Sequence, residues 1–246
     1  MKNCFSILVL AAVLFACQKQ DSNPPIDPNT GCANCAPSYA TAYNGILKAG
    51  TYTTTGAAMS TTVATRISAY FSNSTVTIPS VANSATVSSV VFDDSTLVFS
   101  GSPYYYTNLN PVSVTANSWT VTGTTALPSF TFKNLKEKPT YSSMSAWPDT
   151  IKKTVGFTFY IYNLNYVTGA TVFVSDGLPV PNVITKGLGV GSDTLTFTVN
   201  DLAAVATSTN AVITLVMENA QGIKVDGKDF KVSNEASYTR KVVIKN

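Results

Sequence analysis

The sequence predicts an all-β chain of two β-sandwich domains, preceded by a leader and a proline-rich tether. Composition is the first reason: 34 Thr, 27 Val and 25 Ser among 246 residues suit a half-exposed pleated surface. Rhythm is the second. From Tyr39 onward, short runs of alternating apolar and polar residues recur between turn residues, the spacing of sandwich strands. The third is a charged, proline-terminated break at residues 134–139 (NLKEKP). It divides a β-rich domain, 39–138, from a second sandwich, 139–246.

In the first half, strands are expected at 47–54, 64–71, 85–92, 96–100, 118–122 and 129–132, with Asp93-Asp94 as a turn. Residues 118–122 (SWTVT) alternate strictly, so Trp119 and Val121 share a face, the one toward the core. In the second half, residues 156–162 put Phe157, Phe159 and Ile161 on one face and Thr158, Tyr160 and Tyr162 on the other. Further strands are expected at 170–174 and 194–199, then a helical turn over 200–204 capped by Asn200 or Asp201. Residues 212–218 are apolar on both faces apart from Thr214, which reads as a central strand. Asp226-Gly227 favours a type I′ hairpin, and residues 240–245 close the sheet.

The N-terminus carries an address. Lys2 precedes a ten-residue apolar run, 7–16; as a helix it would span about 15 Å, half a hydrocarbon core, which suits a signal h-region and not a membrane span. The run ends in Leu14-Phe15-Ala16-Cys17, which resembles the lipobox of bacterial lipoproteins. The resemblance implies a signal peptide at 1–16, cleavage before Cys17, and acylation of Cys17 on sulfur and on its new amino group. Two or more acyl chains give stable membrane anchoring where one does not. Gln18, in place of Asp, by resemblance to enterobacterial sorting rules permits delivery to the outer membrane, the expected location, on either its periplasmic or its surface side.

Residues 17–38 form the tether, with four prolines and no hydrophobic periodicity. Inside it lies Cys32-Ala33-Asn34-Cys35. In an oxidising compartment a local disulfide is the first reading; a redox pair or half a zinc site are the alternatives, with no second C-x-x-C to complete the zinc site. The order of strands over 139–246 resembles the immunoglobulin-like sandwich, without its Cys-Trp-Cys signature. With the lipobox, the tether and the Thr/Ser-rich strands, the whole chain resembles bacterial envelope lipoproteins carrying Ig-like domains. That resemblance implies location and architecture and no catalytic motif.

Composition also excludes function classes. The chain has no histidine, which removes a His-dependent triad, a His general base and a His-ligated metal site. Its 16 basic residues are spread thinly, so there is no polybasic stripe for nucleic acid. There is no G-x-S-x-G and no S-x-x-K to activate a serine, and no Ca²⁺-binding D-x-D-x-D-G loop. No catalytic residue, metal or cofactor is therefore expected. Tyr104, Tyr105, Tyr106, Tyr160 and Tyr162 are the candidate ligand-binding residues, because exposed tyrosine rings stack on sugars or grip protein surfaces. Ser95, Thr150 and Thr194 each follow an Asp and precede an apolar or Thr residue, in short sequons that look like bacterial O-glycosylation sites. The expected function is a non-enzymatic, lipid-anchored interaction or structural module. The alternative is a glycan-binding surface lipoprotein. Its partners would be the membrane, through the lipid, and an envelope protein or glycan.

Overall fold

The computed structural model describes residues 42–55, 61–76, 81–101, 104–108, 117–141, 147–161, 164–188 and 194–246. Its strands are β1 (Tyr43–Thr55), β2 (Thr61–Val76), β3 (Ser89–Phe92), β4 (Ser95–Thr96), β5 (Val98–Phe99), β6 (Tyr104–Asn108), β7 (Ser118–Thr122) and β8 (Phe130–Lys133). They continue as β9 (Thr150–Lys152), β10 (Phe157–Tyr160), β11 (Gly169–Ser175), β12 (Val183–Gly187), β13 (Thr194–Phe197), β14 (Ser208–Val225) and β15 (Lys228–Lys245). One helix, α1 (Val199–Leu202), interrupts them. The chain is all-β.

A nine-stranded sheet in the order β12-β11-β14-β15-β1-β2-β6-β5, with β9 parallel to the end of β15, is the frame. It runs through both halves of the sequence, since β15 lies parallel to β1, pairing Phe230–Arg240 with Gly45–Thr55. Its spine is the hairpin of β14 and β15, 18 residues each. The turn is Asp226-Gly227 with φ of 47° and 75°, both positive as a type I′ turn requires.

Both hydrophobic cores lie on one face of this sheet. Leu47, Ile67, Phe71, Phe230 and Val232 meet the four-stranded sheet β4-β3-β7-β8 through Val90, Phe92, Trp119 and Val121. Trp119 is fully buried and packs edge-on against Phe92, ring centroids 4.7 Å apart. Gly45 is required here, because a Cβ would stand 2.5 Å from the Phe230 ring. Farther along the hairpin, Val172, Val174, Ile213, Leu215, Met217 and Ile244 meet the β10-β13 pair and α1 through Phe159, Phe197 and Leu202. Trp147 belongs to this second core; its Nε1 donates to the Tyr141 hydroxyl at 2.9 Å and its ring meets Phe159 edge-on at 4.9 Å. It is a buried anchor.

Between the cores runs a belt of amides. Asn117 donates to Asn234 (3.0 Å), Asn219 to the Glu137 carbonyl (2.9 Å) and Gln221 to Asn134 (2.7 Å); Asn234 in turn donates to the Lys136 carbonyl. The 134–137 segment therefore crosses the sheet as a strap whose backbone is satisfied by side chains of β14 and β15.

Three local expectations need correction. The helical turn is capped by Thr198, with Asp201 completing a capping box at the third helical position, so Asn200 and Asp201 are not the cap. The expected strand 96–100 divides: Leu97 is buried in the first core, β4 pairs with β3, and β5 pairs with β6 in the large sheet. Residues 85–88 precede the ladder of β3 and do not join it, although Ala85 and Ser88 make backbone hydrogen bonds to Phe71 and Thr122.

Candidate functional site

The face of the nine-stranded sheet turned away from both cores is the candidate surface. Strand geometry populates it: alternate residues leave the core face, and on β15 those residues are polar. They are Lys231, Ser233, Glu235, Ser237 and Thr239, between core-facing Phe230, Val232 and Ala236. Lys231 pairs with Glu218 at 2.8 Å, both side chains 7% exposed. Lys48 pairs with Glu235 at 3.1 Å, and Glu235 also accepts a 2.6 Å hydrogen bond from the Tyr52 hydroxyl. Each carboxylate thus has a cation on a neighbouring strand.

Beside these pairs an open trough of about 430 Å³ crosses the strands. Register fixes its floor. Tyr52 stands opposite Ser237 and Ser237 opposite Val216; Thr54, Thr239, Thr214 and Phe173 form the adjacent cross-strand row. Thr214 and Thr239 share a 2.9 Å hydrogen bond. The Arg66 guanidinium lies over the Tyr52 ring, 4.6 Å from its centroid, a cation–π contact. Arg66 is exposed and makes no ion pair among the described residues. An aromatic ring at each end, hydroxyls between and one cation form a surface for a polar ligand with flat apolar faces.

No protein-family model, curated protein or solved structure matches the chain.

A second hollow, about 530 Å³, lies against β10 and β13, lined by Gly156, Thr158, Thr196 and Asn200. Phe157 and Phe197 stack there at 4.8 Å and 6°. Lys186 lies over the Phe197 ring, 5.4 Å from its centroid, and 2.6 Å from Asp201, whose carboxyl is held down to about 2 by Lys186 and by Thr198. Its ion pair is internally satisfied, so this hollow offers less to a ligand than the trough does.

The expected site residues do not converge. Tyr160 is 42% exposed on β10, opposite Thr194 on β13, in the two-stranded sheet. The backbone of Tyr104, Tyr105 and Tyr106 lies in β6 of the nine-stranded sheet, in register with Ala69, Ser68 and Ile67. The two tyrosine groups therefore belong to different sheets. Ser95 sits in β4 opposite Phe92, and Thr150 is exposed in β9 beside Val243. Cys17, Cys32, Cys35 and Tyr162, with the leader and tether, lie outside the described residues. Among the described residues no group of three His, Cys, Asp or Glu could hold a metal ion, and no helix is long and apolar enough to cross a membrane.

Sequence reasoning missed Tyr52, Arg66 and Phe173. Each sits in an alternating run that marks a strand, but the trough exists only because β2, β1, β15, β14 and β11 lie side by side. That adjacency is a long-range property with no local signal.

Proposed function

We propose that this chain is a lipid-anchored, non-enzymatic interaction module of a bacterial envelope, held to the outer membrane through Cys17. The observation that carries the reading is Leu14-Phe15-Ala16-Cys17 closing a ten-residue apolar run behind Lys2. The proline-rich spacer that follows supports it, since such a segment holds a folded unit away from a surface. The all-β fold with two hydrophobic cores supports the β-sandwich part of the reading, and the immunoglobulin-like part rests on strand order in the sequence. The test is metabolic labelling with a palmitate analogue in the native host. Label should enter the wild-type protein and be absent from Cys17→Ser, which should leave the membrane fraction. An unlabelled wild-type protein whose fractionation ignores that substitution defeats the proposal.

A second reading, glycan binding by the trough on the face of the large sheet turned from the cores, is favoured by the placement of Tyr52 and Phe173 at its ends. Sugar rings present apolar faces to aromatic side chains and hydroxyls to Thr and Ser. A glycan array with wild type and Phe173→Ala tests it: binding should be present and then lost.

A further inference from the structure

We infer that the trough selects a carboxylated saccharide, a uronic-acid oligomer, with Arg66 as the group that reads the carboxylate. The inference rests on the glycan reading above and narrows its ligand class.

On the same face of the sheet as the trough stand the cations Lys48 and Lys231 and the carboxylates Glu218 and Glu235. The carboxylates are matched one to one by Lys231 and Lys48. Arg66 is the one cation among the described residues that line the trough, and it makes no ion pair among the described residues.

That charge is also held in place. Tyr52 cannot swing, because its hydroxyl is bonded to the buried Glu235 carboxylate. Its ring is therefore a fixed platform, and Arg66 lies on that platform at 4.6 Å. A guanidinium held over an aromatic ring can still offer its fork of N–H groups to a carboxylate in two parallel hydrogen bonds. A pre-oriented fork loses less side-chain entropy on binding than a free one.

The remainder of the trough favours a saccharide over an acidic peptide. Its floor carries hydroxyls, Thr54, Thr239 and Thr214 in one cross-strand row and Ser237 beside Val216 in the next, suited to a ligand that presents both hydroxyls and apolar faces. Phe173 stands three strands from Tyr52, about 14 Å at the usual strand spacing, so a short oligomer can place a ring face on Phe173 while its carboxylate meets Arg66. An extended peptide would instead seek an unpaired strand edge, and of the lining residues only Val183, on β12, lies on one.

The experiment uses the folded protein with oligogalacturonate and oligoalginate, their neutral methyl esters, and poly-glutamate as a non-saccharide polyanion. At least one uronate should bind, and its methyl ester should bind about tenfold or more weakly, the loss expected for one charge-assisted hydrogen-bonded pair. Arg66→Gln should remove that preference while its near-UV circular dichroism stays that of wild type. Arg66→Lys should retain only part of it. Equal affinity for acid and ester overturns the inference and leaves glycan binding standing. Binding of neutral glycans on an array with no uronate binding has the same meaning. Equal affinity for poly-glutamate overturns it in favour of charge alone, and binding to no saccharide defeats both readings.

Discussion

Asp176 shows how one buried side chain organises a loop. It is fully buried at the end of β11 and accepts from the backbone of Leu178, Asn182 and Ala206 and from the Asn182 amide, at 2.8–3.3 Å. The Asn182 side chain, and then those backbone N–H groups, hold its carboxyl below the ordinary value of 3.8 against the opposing effect of burial. A carboxyl whose pKa is lower folded than unfolded contributes stability above the unfolded value and loses it as pH falls through the folded one. Wild type should therefore exceed Asp176→Asn in denaturant midpoint at neutral pH, and the gap should narrow below about pH 4. A gap independent of pH would refute this account of the loop. Nothing local in Ser175-Asp176-Gly177 marks the acid as buried, because its partners Asn182 and Ala206 come from other segments. Trp119 and Val121 are the opposite case. Strict alternation alone assigned them to the core, where they are 0% and 2% exposed.

At the scale of elements, the turn chemistry was legible. Asp226-Gly227 occupies the predicted two-residue hairpin turn, with Val225 opposite Lys228. Gly227 at φ 75° has open space around its Cβ position, so substitution acts through backbone conformation and not through a clash. Gly227→Val should cost about 1–2 kcal/mol, read as a lowered midpoint in urea with an unchanged slope. The length of the hairpin was not legible. Residues 219–222 (NAQG) and 233–237 (SNEAS) lack the apolar alternation that marks a strand, yet both lie within strands. The hairpin's polar groups find partners that are distant in sequence: Lys231 with Glu218, Lys48 with Glu235, Asn117 with Asn234. Burying such groups is tolerable only when they are paired, and pairing across 13, 187 or 117 positions leaves no trace in a local window.

For the whole molecule, the decisive fact is that one hairpin serves two cores. Phe230 and Val232 belong to the first, Leu215, Met217 and Val242 to the second. The chain's two tryptophans divide between them, Trp119 in one and Trp147 in the other. This provides two independent reporters. In Trp119→Phe and Trp147→Phe, the remaining indole should report denaturant unfolding that coincides with the far-UV circular dichroism of the same variant, because neither core persists without β14 and β15. Fluorescence and circular dichroism midpoints that separate within one variant would mean that the halves unfold independently. The all-β class was evident from composition and rhythm. The continuity of the large sheet across residues 134–139 was not, because that segment's charge and proline mark a break in the chain while the frame bypasses it through β1 and β15.

The parallel seam between β1 and β15 has a mechanical side. A pull applied at residue 42 acts along β1, which is gripped by β15 on one flank and β2 on the other. Load of that kind shears many backbone hydrogen bonds at once and cannot unzip them singly from an end. A body restrained by its leading segment while something tugs on its broad face would meet its stiffest resistance along this line.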